Sequence, residues 1–343
     1  MLVIPPMSSA SSDSVPASER LSKLLCLIAL AAGLIAGARP VLAETYPAKP
    51  VKIIVSTSPG GITDIAARIL GAHITDRSGQ PVVIDNRAGA SGNIAMEAVA
   101  RAAPDGYTLG FASTGNITIN PLLFAHLPFD PLTDLKPVGP IGMVPLFLVV
   151  NGSVPANTLS EFVAYAKAHP EEVNYAAAGA GTTPDLAARE FARRAGLNLV
   201  MVPFKGTHPA TTAVITGEVQ ATFVSIGPYI EFVRNGALRV LAAATRGREP
   251  YVPDSPTFAE EGFPGFEVST WFALFAPRGT PDAVVELLNG YTRSVRNDPD
   301  AKRRLESNYI DPLHLTAAGF AALVKADAIK WERIVRDTAA RLN

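Results

Sequence analysis

Residues Val51 to Asp64 read VKIIVSTSPGGITD. An apolar, β-branched run over Val51–Thr57 gives way to a Ser-Pro-Gly-Gly turn, and a helical pattern takes over. Ile65, Ile69, Leu70 and Ile74 then fall on one face of a helix predicted over Thr63–Thr75. Strand, glycine turn and helix recur downstream. Pro81–Asp85 predicts a second strand. Gly92–Ala103 predicts a second helix, closed by the Pro104-Asp105-Gly106 turn, and Tyr107–Ser113 a third strand. This βαβαβ unit implies a parallel sheet with right-handed crossovers.

Leu135–Asn151 is a long, extended, apolar stretch interrupted by Pro137, Pro140 and Pro145, and it is expected to pass from one domain to another. A second alternating set follows. Helices are predicted over Ser160–His169, Asp185–Ala195, Pro209–Thr216 and Tyr229–Arg234. Strands are predicted over Asn174–Ala178, Leu199–Phe204, Ala221–Ile226 and Arg239–Thr245. Gly247–Gly265 is a Pro- and Gly-rich loop with one short helix expected near Thr257–Glu261. Val268–Ala276 is a strand placed to return to the first domain. Three helices, Pro281–Arg296, Pro299–Ser307 and Thr316–Leu342, close the chain. The domains so read are 44–146 with 267–343, and 147–266. Both are open α/β sheets, and two strands crossing between them make a hinged cleft.

Upstream of this body, Leu21–Ala43 reads LSKLLCLIALAAGLIAGARPVLA, flanked by Arg20 and Lys23. Residues 1–43 are therefore expected to be a disordered N-terminus and a signal peptide. Cleavage is placed after Ala43, with Val41 and Ala43 as the small residues of the site, and the protein is expected in the periplasm. An uncleaved membrane anchor is the competing reading, but the apolar run falls short of the roughly 20 residues that span a bilayer. The one cysteine, Cys26, lies in this segment. A mature chain without cysteine has no disulfide, no thiol nucleophile and no Cys-based metal site. With 30 basic and 31 acidic residues and a net charge of −1, the chain shows no basic stripe, and nucleic acid is not an expected partner.

The candidate site lies in loops at the carboxyl ends of predicted strands. In Ser58-Pro59-Gly60-Gly61-Ile62-Thr63-Asp64 the glycines allow a tight turn and close approach, and the helix start offers free N–H groups to an anion. Asp64 either caps that helix or reaches a polar ligand group. Ala178-Gly179-Ala180-Gly181-Thr182-Thr183 has the same placement. A dinucleotide reading of it requires an acid after the next strand, and that strand ends in Pro203-Phe204-Lys205. Ser113, Thr114 and Asn116 follow the third strand; Lys205, Gly206 and Thr207 follow Phe204; Ser225 follows Val224. Hydroxyls, glycine amides and an Asn amide suit neutral and anionic oxygens. A lone Lys such as Lys205 is commonly a solvated surface charge.

Enzyme signatures do not emerge. There is no H-E-x-x-H, no G-x-S-x-G and no P-loop lysine, and the five histidines His73, His126, His169, His208 and His314 lack ligand spacing. His208 reads as a first-turn helix residue. No catalytic residue, metal or cofactor is expected. Trp271 and Phe272 either line the cleft or pack in the core, and Ile329, Trp331, Ile334 and Val335 form a packing stripe.

Ordered stretches across the whole mature chain resemble the extracytoplasmic receptors of tripartite tricarboxylate transporters, the Bug or TctC family. They include YPAKPVKIIV (Tyr46–Val55), SPGGITD (Ser58–Asp64), GQPVVIDNRAGASGNIA (Gly79–Ala95), APDGYTL (Ala103–Leu109), LPFDPLTDLKPV (Leu127–Val138), NYAAAGAGT (Asn174–Thr182), VPFKGTHPA (Val202–Ala210) and WFALFAPRGTP (Trp271–Pro281). The resemblance implies a two-domain, type II periplasmic binding-protein fold (a Venus flytrap) with two crossing strands. It implies a monomer that captures a small carboxylate, often through ordered waters, and hands it to a membrane permease pair. By position it implies ligand contacts from Ser58–Asp64, Ser113–Asn116, Ala178–Thr183, Lys205–Thr207 and Val224–Ser225. Two positions depart from the pattern. Val224 stands where many members carry an acid, which disfavours an ammonium-bearing ligand. Asp185 stands where many carry His, either as a helix-start acid or as a change in selectivity. A sensory protein addressing a membrane kinase and a secreted hydrolase with a cleft serine are the rival functions.

Overall fold

Strand β1 (Val51–Val55) buries four of its five side chains, leaving only Lys52 exposed, as its apolar run demands. The computed structural model describes residues 46–204 and 206–338. The expected signal peptide and its expected cleavage point lie outside them. Helix α1 (Ile62–Ser78) buries Ala66, Ala67, Ile69, Leu70 and Ile74. It stops at Gly79, whose φ of +71° turns its amide back to the Thr75 carbonyl. Then come β2 (Val82–Asn86), α2 (Asn93–Ala100) and β3 (Thr108–Ser113). A π-helical turn, Gly115–Ile119, and the short α3 (Asn120–Leu123) follow, in a segment with no helical expectation from sequence.

The long strand β4 (Leu135–Pro145) ends in the first sheet, and after the single residue Leu146 the chain continues as β5 (Phe147–Asn151) in the second. Next come α4 (Leu159–Ala168), β6 (Asn174–Ala177), α5 (Thr183–Ala195), β7 (Val200–Pro203), α6 (Thr207–Ile215), β8 (Ala221–Val224), α7 (Ile230–Arg234) and β9 (Leu238–Ala243). The chain returns through β10 (Ser269–Pro277) and closes with α8 (Asp282–Ser294), α9 (Pro299–Ser307), β11 (Asp311–Pro312) and α10 (Ala317–Asp337).

The first sheet has the order β11-β4-β10-β3-β1-β2 and the second β7-β6-β8-β5-β9. In each, three parallel strands repeat one plan: β2-β1-β3 in the first lobe, β7-β6-β8 in the second. The chain steps outward from the central strand and then crosses to its other side. This creates a point where strand order reverses, and loops diverge there to leave a crevice. The βαβαβ units are parallel as expected, and the crossing strands make each whole sheet mixed. β10 runs antiparallel to both β3 and β4, and β5 runs antiparallel to both β8 and β9. The reason is that strands shared between lobes enter one sheet in the opposite sense from the βαβ units. The prolines of β4 survive because the β10 register skips Ile141 and Val138, so Pro140 and Pro137 sit at bulges.

The expected helix near Thr257–Glu261 is a single turn. Thr257 N–H donates to Glu260 Oε2 (2.7 Å) and Glu260 N–H to Thr257 Oγ1 (3.2 Å), but Gly262 and Pro264 stop propagation. Helix α10 serves both lobes. Phe320 and Val324 join the cluster containing Trp271 and Phe275, and Trp331, Ile334 and Val335 join the one containing Leu148, Phe191 and Phe223.

Trp331 is fully buried. Trp331→Ala should cost about 3–5 kcal/mol of stability by leaving a cavity. Urea unfolding followed by circular dichroism measures it, and a loss below about 1 kcal/mol contradicts the role given to α10.

Candidate functional site

A cavity of about 560 Å³ lies between the two lobes, where both strand-order reversals point. The first lobe contributes Ser56, Thr57 and Ser58 after β1, Ile62 and Thr63 of α1, Gly89, Ser91 and Gly92 after β2, and Ser113, Gly115, Asn116 and Asn120 after β3. The second contributes Ala180–Pro184 after β6, Thr207 of α6, and Val224 and Ser225 at the end of β8. Val144, Leu146, Thr270 and Phe272 of the crossing strands form the floor. Strand alternation settles the two aromatics: Phe272 faces the cavity, whereas Trp271 faces away and donates its indole N–H to Asp327 (2.7 Å).

No charged side chain lines this cavity among the described residues. What it offers an anion is backbone N–H. Helix α1 begins at Gly61 with no side-chain cap, so its first-turn amides are unclaimed, and the positive end of a long helix faces the cavity through Ile62 and Thr63. Helix α6 likewise begins uncapped at Gly206. Helix α5 differs, because the Thr182 hydroxyl accepts from Asp185 N–H (3.4 Å) and donates to the Gly179 carbonyl (2.9 Å). The Thr57 hydroxyl is buried without a partner at the cavity wall. A buried hydroxyl without a partner is costly unless a ligand or water supplies one.

Asn116 ties the first lobe's loops together. Its Oδ1 accepts from Ser56 Oγ (2.8 Å) and from Ser113 N–H (3.0 Å) and Oγ (3.2 Å), and its Nδ2 donates to the Ser91 carbonyl (2.7 Å). Asn120 adds bonds to the same carbonyl (3.0 Å) and to Asn93 Oδ1 (2.7 Å). Gly92, at φ +85°, is required here, since a Cβ would land 2.9 Å from that of Ser56. Asn116 thus fixes where the donors stand.

The two acids singled out from the sequence do not reach the cavity. Asp64 is 2% exposed and its carboxylate accepts from Gly60 N–H (2.9 Å), Arg68 Nε (2.9 Å) and Asn86 Nδ2 (2.9 Å). Asp185 is fully buried and accepts from Gly181 N–H (2.8 Å), Arg189 Nε (2.9 Å) and the Tyr175 hydroxyl (2.6 Å). The two lobes carry one device: an acid in the first turn, an Arg four residues on, and a glycine amide four residues back in the binding loop. Each acid latches a loop, and neither Asp64 nor Asp185 lines the cavity.

Of the other expected site residues, Ser58, Ser113, Asn116, Gly181, Thr182, Thr183, Thr207 and Ser225 line the cavity. Pro59, Gly60, Gly61, Ala178, Gly179 and Gly206 shape its loops without lining it. Thr114 is fully buried behind it, its hydroxyl accepting from Trp271 N–H (3.0 Å). Lys205 lies outside the described residues. His208 is exposed in the first turn of α6 and does not line the cavity. Sequence reading missed the contribution of Gly89, Ser91 and Gly92, although the run AGASGN after a strand carried the signal.

One constellation has the distances of a catalytic triad. His73 Nε2 lies 2.8 Å from Ser294 Oγ and Nδ1 lies 3.0 Å from Asp298 Oδ2. The Ser294 hydroxyl also bonds the Tyr291 carbonyl, the other oxygen of Asp298 caps α9, and the His73 side chain is fully buried. None of the three lines the cavity. The group joins α1 to α8 and α9 as packing.

Burial works to raise the Asp64 carboxyl, but its bonds from Arg68, Gly60 and Asn86 prevail and hold it below the usual carboxylate range. A depressed folded value means the stabilisation is complete above the unfolded value, about 3.9, and is lost as pH falls through the folded one. Asp64→Asn should cost about 1–3 kcal/mol near neutrality. Its deficit against the wild type should stay constant down to about pH 4 and shrink below it in urea titrations; a deficit that grows on acidification contradicts the latch. The two loop glycines should also separate. Gly60 sits at φ +84° with open space around it, whereas Gly61 is extended at φ −74°. Gly60→Val should destabilise by about 1–2 kcal/mol and Gly61→Val by less, and equal losses in thermal unfolding contradict this account of the turn.

A family model described as "Tripartite tricarboxylate transporter family receptor" matches residues 66–339. Protein BugT of Bordetella pertussis is 36% identical over 323 residues, 94% of this chain and 99% of its own. Among solved structures, MatC from Rhodopseudomonas palustris with bound malate superposes with a TM-score of 0.74 at 34% identity, covering 84% of this chain and all of that one. R. palustris Rpa4515 with adipate gives 0.78 at 32%, covering 87% of this chain and 100% of its own. The periplasmic binding protein BugD gives 0.75 at 30%, with the same coverage. None of the described helices is long and apolar enough to cross a membrane. With its two lobes, crossing strands and loop-lined cleft, the chain is a Venus-flytrap solute-binding protein and belongs to the tripartite tricarboxylate transporter receptor family, Bug or TctC.

Proposed function

We propose that this protein captures a small carboxylate in the interlobe cleft of the periplasm, reached by signal-peptide export, and delivers it to the permease subunits of a tripartite transporter. The observation that carries the reading is the uncapped start of α1, opening onto a cavity with no charged side chain among its described lining. Unclaimed amides at a helix start favour an anionic group. The hydroxyls of Ser58, Thr63 and Ser225 add donors that reorient to suit carboxylate oxygens or bridging waters. The malate and adipate held by two relatives support the same class.

Val224, Val144, Leu146 and Phe272 give the rest of the wall an apolar character, and no carboxylate stands ready for an ammonium group among the described lining. That favours a ligand without one. Binding is the whole chemistry of the reading: the anion docks on one lobe, and closure adds the donors of the other.

A thermal-shift panel of mono-, di- and tricarboxylates tests it. A true ligand at a hundred times its Kd adds about 2.7 kcal/mol of stability, and the melting temperature should climb with concentration. A panel in which no carboxylate moves the melting temperature defeats the reading.

A further inference from the structure

The crossing strands carry a cavity on each face. Val144, Thr270 and Phe272 face the cleft, while their neighbours Met143, Pro145, Ser269 and Trp271 face a second cavity of about 500 Å³. Both lobes line this rear cavity, through Arg246 and Glu249 of the second and Asp311 and Lys330 of the first. Apart from the packing of α10 on the second lobe, the lobes also touch through a tyrosine ring. Tyr309, in the turn between α9 and β11, adopts φ +54°, a left-handed conformation costly for a tyrosine. Its ring meets Tyr251 of the second lobe at 5.1 Å, near edge-on at 72°. It also sits directly on Gly227, where a Cβ would come within 2.7 Å of the Tyr309 Cβ and closer still to the ring.

The sheet order gives this contact a direction. β11 lies beyond β4, so the crossing pair β10 and β4 separates it from β3 and β1, whose ends line the cleft. A rotation about the crossing strands that brings the β1 and β3 loops toward the second lobe moves the β11 side away from it. Such a rotation would draw Tyr309 away from Gly227 and Tyr251. A force of opposite sign acts alongside. Burial raises the carboxyls of both Glu249 and Asp311, and Asp311 adds repulsion to Glu249 across the rear cavity. The cations nearby are engaged, Arg246 with Glu267 (3.0 Å) and Lys330 with Asp327 (2.6 Å). The Tyr309 ring supplies an attractive contact between the lobes on this side.

We propose that Tyr309 is a positioning residue for ligand capture: seated on Gly227 and Tyr251, it latches the rear of the hinge together and so holds the cleft open until a ligand closes it. The inference rests on the cleft being the capture site, but not on which ligand fills it. A contact made only in the open arrangement subtracts from every closing ligand's affinity.

The only cysteine is Cys26, so a Cys26→Ser background permits paired spin labels. Labels at Ala88→Cys and His208→Cys, both exposed and one on each side of the cleft mouth, report the gap by pulsed electron spin resonance without ligand. Tyr309→Gly keeps the turn, because glycine accepts its φ, and should shorten the label distance. Gly227→Ala evicts the ring from the opposite lobe and should shorten it as well. Either variant leaving the distance unchanged or longer overturns the proposal. The distance is read without ligand, so the result does not depend on whether the cleft takes a carboxylate.

Discussion

Three backbone hydrogen bonds hold the molecule's two halves in register. Leu146 N–H donates to the Val268 carbonyl (3.1 Å), Val268 N–H to that of Ala244 (2.9 Å), and Ala244 N–H to that of Leu146 (2.9 Å). This three-way crossing lets β4 continue into β5 and the chain return as β10 without leaving buried amides unpaired. The cleft exists because the crossing is narrow. Only a few residues wide, it keeps two sheets adjacent while leaving each free to carry its own strand-order reversal toward the other. Pairing along a broader edge would fuse the sheets and close the crevice.

Each reversal exposes loops that must be rigid yet rich in free N–H. Rigid loops usually achieve order by pairing their donors with one another. Here few donors are committed in that way: Gly60 and Gly181 give their amides to Asp64 and Asp185, and the acids are held in turn by Arg68 and Arg189. One amide per loop is engaged, and the first-turn amides of α1 stay unclaimed. Buried carboxylates with three donors each are over-determined, so the loops keep their shape with or without a ligand, and less conformational entropy is lost on binding. The helix starts are not equivalent: that of α5 is closed by Thr182, while those of α1 in the first lobe and α6 in the second are open.

Much of this was legible from the sequence, where the signal is local. The strand–glycine–helix grammar of Val51–Asp64 and Ala177–Ala195 is written in periodicity and turn residues a few positions apart. The long apolar stretch Leu135–Asn151 announced a crossing even through three prolines. Antiparallel entry of the crossing strands was not legible, since strand direction depends on partners far along the chain: Phe272 pairs with both Ser113 and Gly142. The same distance hid the work of Asn116, whose partners Ser56 and Ser91 lie 60 and 25 residues away. Asp64 and Asp185 were visible as first-turn acids, but whether such an acid faces the ligand or the loop behind it depends on Asn86 and Tyr175, which sit on neighbouring strands.

If the site binds as proposed, a described lining built from neutral donors has a consequence for delivery. A buried Arg–carboxylate pair would hold an anion through a strong charge-assisted contact, and breaking it would leave an uncompensated charge in a low-dielectric cleft. Amides and hydroxyls bind by hydrogen bonds that water replaces at modest net cost. On the proposed reading, opening the cleft therefore both removes the second lobe's donors and admits the solvent that competes with the first lobe's. Release then depends on the hinge, so whatever sets the hinge equilibrium sets retention. That places control of the ligand at the crossing strands and their rear contacts, away from the residues that touch it.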